Sequence, residues 1–413
     1  MAAANAQSIS GPVTISGSTS VGKPSCGSWL GDDQCGNVGG SFSTAGMTAL
    51  SACDPALAAG SYYLTQNVGS DPTADCFPYW RTINLNGFTV TGRFSGATGN
   101  SVSGILIYNG TIICERFESG NNTGCIRAAT SCPASTYELH HLTVTNTYSG
   151  GNGRSMFVDF GAVCGSNKLK VYNNTVTAPT CIDCGRTYAI SIQYGSHHLA
   201  YNNLIYVQAA SNAGQGIAFY GSEGSRQYNN RIVMETSTGT QSGRAILLDG
   251  DPSRGCDNCI AEYTKVVANN NRGCRVRSSD GTFVRYNIFL QVVGTACQLG
   301  DQDSGDPDIT SGTLAYNSFE LGPSSRAIEA RNLVFTVNNN TTSCTGGSCA
   351  DTNFAWARSP LGAGATSLTV TTNTTTALPG YNVPPVVMLW ADTSATITHT
   401  ASGNCGGAGT CVP

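Results

Sequence analysis

Two stretches, ISIQYGSHHLAYNN (190–203) and IAFYGSEGSRQYNN (217–230), follow the same pattern from end to end. Each begins with apolar residues that alternate with other residues, which is typical of a β-strand with one buried face. Each ends in Tyr-Asn-Asn, and asparagine tolerates the left-handed backbone conformation that a tight turn needs. The pattern therefore predicts a short strand followed, after a loop, by an asparagine turn.

The same two signals recur along most of the chain. The strand segments are ILIYNG (105–110), IRAAT (126–130), MFVDFG (156–161), ISIQYG (190–195), IAFYGS (217–222), ILLDG (246–250), CRVRS (274–278), CQLGD (297–301) and IEAR (328–331). Equivalent strand positions are 21 to 34 residues apart. A period that is variable in the loops and constant in the strands indicates a solenoid, in which each repeat packs on its neighbours.

The coil pattern, together with TINLNGFTVTG (82–92), resembles the right-handed parallel β-helix superfamily, which includes pectate lyases, polygalacturonases, chondroitinase-type lyases and phage tailspikes. The resemblance covers roughly residues 80–345 and implies an all-β solenoid of roughly nine or more coils. We expect an N-terminal arm and cap in 1–80, the β-helix in 81–345 and a β-rich C-terminal cap or assembly segment in 346–413, because the ends of a solenoid need covering.

Composition favours an extracellular protein. Only 11% of the 413 residues are charged, the net charge is −4, and the 18 cysteines are an even number. We expect disulfides between sequence neighbours, as in an oxidising compartment. The expected pairs are Cys26/Cys35, Cys53/Cys76, Cys114/Cys125, Cys132/Cys164, Cys181/Cys184, Cys256/Cys259, Cys274/Cys297, Cys344/Cys349 and Cys405/Cys411. The alternative is zinc at the two C-x-x-C motifs, CIDC (181–184) and CDNC (256–259), although their spacing does not fit a zinc ribbon.

Two classes of partner are not expected. The 21 basic residues form no block in the sequence, so nucleic-acid binding is not predicted. No apolar run reaches the roughly 18 residues that a membrane span needs.

Alternation within the strands predicts two columns of outward side chains, with adjacent coils about 4.8 Å apart. One column is Leu106, Arg127, Phe157, Ser191, Ala218, Leu247, Arg275, Gln298 and Glu329. The other is Tyr108, Ala129, Asp159, Gln193, Tyr220, Asp249, Arg277, Gly300 and Arg331. Tyr220, Asp249 and Arg277 should then lie on successive coils and face solvent.

In the polysaccharide lyases and hydrolases that the chain resembles, the outer face of one parallel sheet forms the sugar-binding cleft. A uronate lyase needs a cation to neutralise the substrate carboxylate, a base for the α-proton and an acid for the leaving oxygen. The predicted catalytic residues are Tyr220, Asp249, Arg275 and Arg277, and the predicted substrate-binding residues are Asp159, Gln193 and Arg127. The alternative interpretation is an ordinary surface ion pair between Asp249 and Arg277, of little energetic weight.

A glycosidase is less favoured. Its two carboxylates must lie about 5 Å or about 6.5–9.5 Å apart, whereas Asp159 and Asp249 are predicted three coils apart, about 14 Å. The aspartate clusters of polygalacturonases and the Asp-His and Arg-Pro motifs of pectate lyases do not occur at matching positions.

Two further sets of residues are candidates for metal binding. GDQDSGDPD (300–308) gathers Asp301, Asp303, Asp306 and Asp308 around a glycine, which suits calcium, and an acidic surface loop is the alternative. The pairs His140-His141 and His197-His198 each precede a leucine, and we expect them to lie at similar points of coils two turns apart.

Two functions follow from these observations. The first is a secreted enzyme that cleaves acidic polysaccharide by β-elimination. The second is a structural or adhesive extracellular β-helix that self-assembles through its ends into a fibre, and a non-catalytic glycan-binding module is a further possibility.

Overall fold

The structure is a computed structural model, and it describes part of the chain. The described residues are 35–37, 40–58, 60–79, 81–95, 105–115, 124–129, 137–148, 153–159, 169–178, 187–209, 214–236, 243–250, 254–268, 272–300, 309, 311–322, 325–331, 333–344, 353–357, 366–377, 389–391, 397–402, 404–405 and 411–412.

Every regular element of the described residues is a β-strand. The first strands are β1 Thr48–Leu50, β2 Ser61–Leu64, β3 Asp75–Pro78, β4 Thr82–Asn84, β5 Thr89–Thr91, β6 Arg93–Ser95, β7 Leu106–Cys114, β8 Ile126–Ala129, β9 Tyr137–Asn146, β10 Gly153–Asp159, β11 Leu169–Tyr172 and β12 Thr175–Thr177. The middle strands are β13 Thr187–Gln193, β14 Leu199–Tyr201, β15 Leu204–Ala209, β16 Gly214–Tyr220, β17 Arg226–Tyr228, β18 Arg231–Thr236, β19 Arg244–Asp249, β20 Ile260–Glu262, β21 Lys265–Val267, β22 Arg272–Val276, β23 Thr282–Arg285 and β24 Ile288–Val292. The last strands are β25 Thr295–Gly300, β26 Gly312–Ala315, β27 Ser318–Leu321, β28 Arg326–Arg331, β29 Leu333–Asn338, β30 Thr341–Cys344, β31 Asn353–Ala357, β32 Thr366–Thr371, β33 Thr374–Ala377, β34 Leu389–Ala391, β35 Ile397–Ser402, β36 Asn404–Cys405 and β37 Cys411–Val412.

Each coil contributes one strand to each of three parallel sheets. Sheet 1 consists of 12 strands: β3, β6, β8, β10, β13, β16, β19, β22, β25, β28, β31 and β34. Sheets 2 and 3 are hydrogen-bonded as one group of 25 strands, because β7 and β9 are long enough to belong to both. A typical coil is β13 in sheet 1, β14 in sheet 2 and β15 in sheet 3, and each pairs in parallel with its equivalent in the next coil.

The chain therefore folds as an all-β, right-handed parallel β-helix, as the sequence predicts. Parallel pairing extends beyond residues 81 and 345: β2 pairs with β4, and β29 and β30 pair with β32 and β33. Antiparallel pairing within the described residues occurs between β36 and β37, at the C-terminal end.

Stacked apolar side chains fill the interior. In sheet 1 one inward column comprises Met156, Ile190, Ile217, Ile246, Cys274, Cys297 and Ile328, each at most 1% exposed. In sheet 2 the column Leu139, Val171, Ala200 is interrupted by Gln227, and apolar residues resume at Ala261. Gln227 is fully buried, and neither polar atom of its side chain has a hydrogen-bond partner in the structure.

An asparagine ladder lines the turn between sheets 2 and 3. Its members, each buried and each at the equivalent point of its coil, are Asn174, Asn203, Asn230, Asn287, Asn317, Asn340 and Asn373. The side-chain amide of Asn203 donates to Val171 O at 2.9 Å and to Asn230 Oδ1 at 3.0 Å. Thr264 interrupts the ladder between Asn230 and Asn287. This ladder confirms the structural interpretation of the Asn-Asn pattern.

The segment that contains Gly36, Asn37 and Phe42 runs back over the outside of the solenoid. The Gly36 N–H donates to Asn202 O at 3.1 Å, and Asn37 bonds Thr175 Oγ1 at 3.0 Å. Farther on, the ring of Phe42 packs against Tyr108 and His141, at 5.1 and 5.0 Å between ring centroids.

Four of the expected disulfides are confirmed: Cys53–Cys76, Cys114–Cys125, Cys256–Cys259 and Cys274–Cys297. Cys35 is also disulfide-bonded, and no cysteine of the described part of the chain is free. The bond within CDNC excludes zinc at that motif in this state. Cys26, Cys132, Cys164, Cys181, Cys184 and Cys349 lie outside the described residues.

Among the described residues, there is no helix with the length and hydropathy to cross a membrane.

Candidate functional site: the arginine face

A bend in each strand of sheet 1 creates three outward positions per coil. In β13, Ala189 and Ile190 both point into the core, at 0% and 1% exposure. Because two consecutive residues face inward, the alternation is reset, and Tyr188, Ser191 and Gln193 face outward. The register between β10 and β13 skips the same position, since Arg154 pairs with Tyr188 and Met156 with Ile190.

The alignment predicted for the two columns is confirmed from β8 to β28. Consecutive partners in the first are Arg127, Phe157, Ser191, Ala218, Leu247, Arg275, Gln298 and Glu329. Consecutive partners in the second are Asp159, Gln193, Tyr220 and Asp249. Arg277 follows on the next coil, and its side chain is bonded directly to that of Asp249.

The expectation that Leu106 and Tyr108 begin these columns is wrong. Both lie in β7 of sheet 2, where Tyr108 pairs with His140 of β9. The segment ILIYNG resembles the sheet 1 strands in its alternation, but strands of sheet 2 alternate in the same way. A short apolar strand therefore does not reveal which of the three sheets it joins.

The prediction that Asp249 faces solvent is wrong, although the residue occupies an outward position of its strand. The residue is 5% exposed, and its carboxylate accepts two hydrogen bonds from Arg277, Nε at 2.6 Å and Nη2 at 3.0 Å. The Gly250 N–H donates to the same carboxylate at 2.9 Å. A bidentate, largely buried pair is stronger and more precisely oriented than an exposed one. The pair is therefore buried, and not the exposed surface pair of the alternative interpretation.

The third outward column contains functional candidates that the sequence did not reveal. Its members from β10 to β28 are Arg154, Tyr188, Gln215, Arg244, Arg272, Thr295 and Arg326. A signal for it exists in the sequence. Each strand has a small residue directly before its first large apolar one, as in Ala189-Ile190 and Gly216-Ile217, because both must fit inside the bend.

We name the outer surface of sheet 1 between β8 and β28 the arginine face. It carries eight arginines: Arg127, Arg154, Arg244, Arg272, Arg275, Arg277, Arg326 and Arg331. The carboxylates of the described residues in the same three columns are Asp159, Asp249 and Glu329. In a chain of net charge −4, this surface is a local concentration of positive charge.

Positive charge is densest on β19 and β22. Arg244 Nη2 and Arg272 Nη1 both donate to Gln298 Oε1, at 3.3 and 3.1 Å, so one amide oxygen holds two guanidinium groups. Burial, and next the charges of Arg275 and Arg272, lowers the pKa of Arg244 to about 9. Burial also lowers the pKa of Arg272, which Glu329 partly offsets. A bound anion would relieve this crowding.

Shorter side chains form a buried layer beneath the long ones. Phe157, Ala218 and Leu247 are at most 4% exposed although they point away from the core. The guanidinium carbon of Arg154 lies 4.1 Å from the ring centroid of Phe157 and 4.9 Å from that of Tyr188. These cation–π contacts fix the Arg154 head group above an apolar base.

The predicted residues that remain partly exposed form the accessible part of the face. Asp159, Gln193, Tyr220, Arg127, Arg275 and Arg277 are all of intermediate exposure. The Tyr220 ring meets Tyr194 edge to face, with centroids 6.0 Å apart. Tyr220 is the register partner of Asp249, so it lies one coil from the Asp249–Arg277 pair.

The predicted metal ligands Asp301, Asp303, Asp306 and Asp308 lie outside the described residues. Within the part of the chain that the structure describes, no three His, Cys, Asp or Glu side chains are placed to hold a metal ion. Calcium at this loop stays a prediction.

The two histidine pairs have structural surroundings, and their predicted equivalence is wrong. His140 is in register with Tyr172 of β11, and Tyr172 is in register with Tyr201 of β14. His198 lies directly before β14 and is therefore not at the position equivalent to His140. His140 stacks between Tyr108 and Tyr172, and burial lowers its pKa to about 4. His198 Nδ1 accepts the Leu169 N–H at 3.1 Å, and its Nε2 lies 2.7 Å from Tyr194 O.

Comparison with known proteins gives structural matches only. No protein-family model matches the sequence, and no curated protein is significantly similar to it. Similar solved structures include a mutant tailspike protein of E. coli bacteriophage HK620 in complex with pentasaccharide, at 14% identity and a TM-score of 0.45, covering 79% of this chain and 60% of that chain. Another is a GH136 lacto-N-biosidase from Eubacterium ramulus, at 9% identity and a TM-score of 0.30, covering 83% of this chain and 63% of that one. This chain thus spans about three fifths of the length of these proteins.

Proposed function

We propose that the protein is an extracellular carbohydrate-active β-helix that binds acidic polysaccharide on the arginine face and cleaves it by β-elimination. One observation carries the proposal. Four arginines lie on two consecutive coils of the arginine face (Arg244, Arg272, Arg275 and Arg277), and among the described outward residues of these two coils the carboxylate is that of Asp249, which is already bonded to Arg277. Sheet 1 continues through eight coils from β8 to β28, which suits a linear polymer better than a small anion.

The proposed roles follow from the geometry. Arg275 and Arg277 neutralise the uronate carboxylate, which makes the neighbouring C–H more acidic. Asp249 orients Arg277 through two hydrogen bonds. Tyr220, as the phenolate, removes the α-proton and then, as the phenol, gives it to the oxygen of the breaking glycosidic bond, so that the products are an unsaturated uronate and a free hydroxyl. Asp159, Gln193 and Arg127 bind sugar residues on the coils before the reaction centre.

The test uses a panel of acidic polysaccharides and follows the ultraviolet absorbance of the new carbon–carbon double bond. We expect product with at least one substrate, and a loss of at least 100-fold in kcat/KM for Tyr220→Phe and Arg277→Gln. Lys265→Gln, which changes a half-exposed cation of sheet 3, should retain full activity.

Binding of acidic polymers without turnover would reject the lyase and leave a binding module. Failure of Tyr220→Phe to affect turnover would reject the proposed proton transfer.

Self-assembly through the solenoid ends is the second candidate. The described strand β1 pairs with β2 on one side only, and two of its three residues are exposed. An exposed strand edge is able to pair with another chain. Negative-stain images should then show filaments at high concentration, and a monodisperse monomer would contradict this candidate.

A further inference from the structure

Charge on the arginine face is not continuous along the solenoid. Arg127 and Arg154 lie on β8 and β10, and the dense group lies on β19 and β22. Between them, β13 (TYAISIQ) and β16 (GQGIAFY) contain no charged residue. A third uncharged strand, β25 (TACQLG), separates the dense group from Arg326 and Arg331 of β28.

The uncharged strands are suited to sugars without charge. Gln193 and Tyr220 are half-exposed and offer an amide and a phenol to hydroxyl groups. Tyr188, Ala218 and Leu247 form a small buried apolar cluster beneath them. A pyranose ring presents hydroxyl groups along its edges, and these uncharged hydrogen-bonding side chains can bind them.

The distance between the charged groups follows from the register. Arg154, Tyr188, Gln215 and Arg244 are partners on four consecutive coils. Three coil spacings of about 4.8 Å place the two arginines about 14 Å apart along the axis. A sugar residue in an extended chain along this axis spans about one coil. Two acidic residues bound on the coils of Arg154 and Arg244 are therefore separated by two neutral residues.

From this spacing we infer that the substrate is an acidic heteropolysaccharide with one carboxylate in every three sugar residues, and not a uniform polyuronate. The inference rests on the proposed function, because it specifies the ligand of the same site. An acidic residue binds at Arg244, Arg272, Arg275 and Arg277, two neutral residues cover β16 and β13, and the next acidic residue binds at Arg154 and Arg127. On a uniform polyuronate, two carboxylates would lie over strands that contain no cationic residue, so their desolvation would be less well compensated than at the two arginine groups.

The experiment compares two hexasaccharides of equal length by isothermal titration calorimetry. Hexagalacturonate carries a carboxylate on every residue, and the matched hexasaccharide carries one on the first and fourth residues. We expect the spaced hexasaccharide to bind the wild-type protein at least tenfold more tightly. Equal affinity, or tighter binding of hexagalacturonate, would overturn the inference while supporting the proposed function. Failure of both hexasaccharides and of longer acidic polymers to bind would instead reject the proposed function.

Two variants test the spacing directly. Arg154→Gln should weaken binding of the spaced hexasaccharide about tenfold. The same variant should leave unchanged the affinity for a trisaccharide with a single acidic residue. Arg154→Lys, which keeps the charge above Phe157, should retain most of the affinity and so separates charge from folding. Equal weakening for the trisaccharide, or no effect on the hexasaccharide, would contradict a second acidic subsite.

The opposite kind of substitution adds a cation to a strand of the arginine face that contains none. Gln193 is half-exposed on an uncharged strand, so arginine at this position can be accommodated without disturbing the core. Gln193→Arg should narrow the preference for the spaced hexasaccharide by raising the affinity for hexagalacturonate several-fold. An unchanged ratio of the two affinities would count against the inference.

Discussion

The arginine face and the asparagine ladder are built on the same coils but in opposite ways. In the ladder almost every coil presents the same residue, and each amide bonds the next, as Asn174 bonds Asn203 at 3.0 Å. On the arginine face the residue changes at most steps from one coil to the next, and Tyr220, Asp249 and Arg277 follow one another in one column. A repeated residue satisfies the needs of the fold at every coil, whereas a position that changes from coil to coil is available for a ligand.

The comparison predicts that the ladder carries stability and the arginine face does not. Asn203→Ala removes the side-chain acceptor of Asn174 and the side-chain donor to Val171 O and Asn230 Oδ1, all of them buried, and Asn230 Oδ1 keeps only the backbone N–H of residue 203. We expect a loss of about 3–5 kcal/mol, measured by urea unfolding. Arg275→Gln, on a half-exposed side chain, should cost less than about 1 kcal/mol. Equal losses for the two variants would break the comparison.

Acid should weaken the scaffold through a buried histidine. Burial lowers the pKa of His198 from 6.5 to about 4, so the folded protein keeps it neutral while the unfolded chain takes up a proton. This contribution to stability is complete above about pH 6.5 and is lost as the pH falls towards 4, by up to about 3 kcal/mol.

Urea unfolding at several pH values should show a smaller pH dependence in His198→Gln than in the wild type. His197→Gln changes an exposed neighbour and is the matched control. An identical pH dependence in His198→Gln and wild type would show that this histidine is not the group responsible.

Substitution of Gln227 tests whether every interruption of a column of equivalent residues marks a functional position. This buried amide replaces an apolar residue in the interior, and its two polar atoms have no hydrogen-bond partner. Gln227→Met keeps the length of the side chain and removes the desolvation cost, so stability should rise by about 1–3 kcal/mol. Gln193→Met, at a half-exposed position of the outer face, should leave stability nearly unchanged. A destabilised Gln227→Met would mean that the interior needs a polar group at this coil.

The smallest expected effect comes from repairing the ladder. Thr264 occupies the position where the asparagines are interrupted, and its N–H already donates to Asn287 Oδ1 at 3.0 Å. Thr264→Asn should connect Asn230 with Asn287 and raise stability by about 0.5–1.5 kcal/mol, seen as a higher urea midpoint. Thr264→Ser is the control, and a lower midpoint for Thr264→Asn than for the control would contradict the ladder as a source of stability.

The sequence predicted most of the fold because the period of a solenoid is visible in every coil. Alignment of Asp159, Gln193, Tyr220 and Asp249 followed from counting residues between equivalent strands. The site was predicted only in part. Arg244 and Arg272 escaped notice because a bend with two consecutive inward residues resets the alternation. Burial of Asp249 could not be predicted either, since it depends on how long neighbouring side chains lie across the sheet.

The segment that crosses the outside of the solenoid is synthesised before the coils on which it packs, so it can reach its final position only after they have formed. Gly36 binds the backbone of Asn202, more than 160 residues later, and Asn37 binds Thr175. During synthesis this segment leaves the ribosome long before the surface it packs on exists. Early coils can stack as they emerge, because their contacts are between near neighbours in sequence. This segment is thus among the last parts of the structure to reach its final position, and it packs on coils that stacked without it.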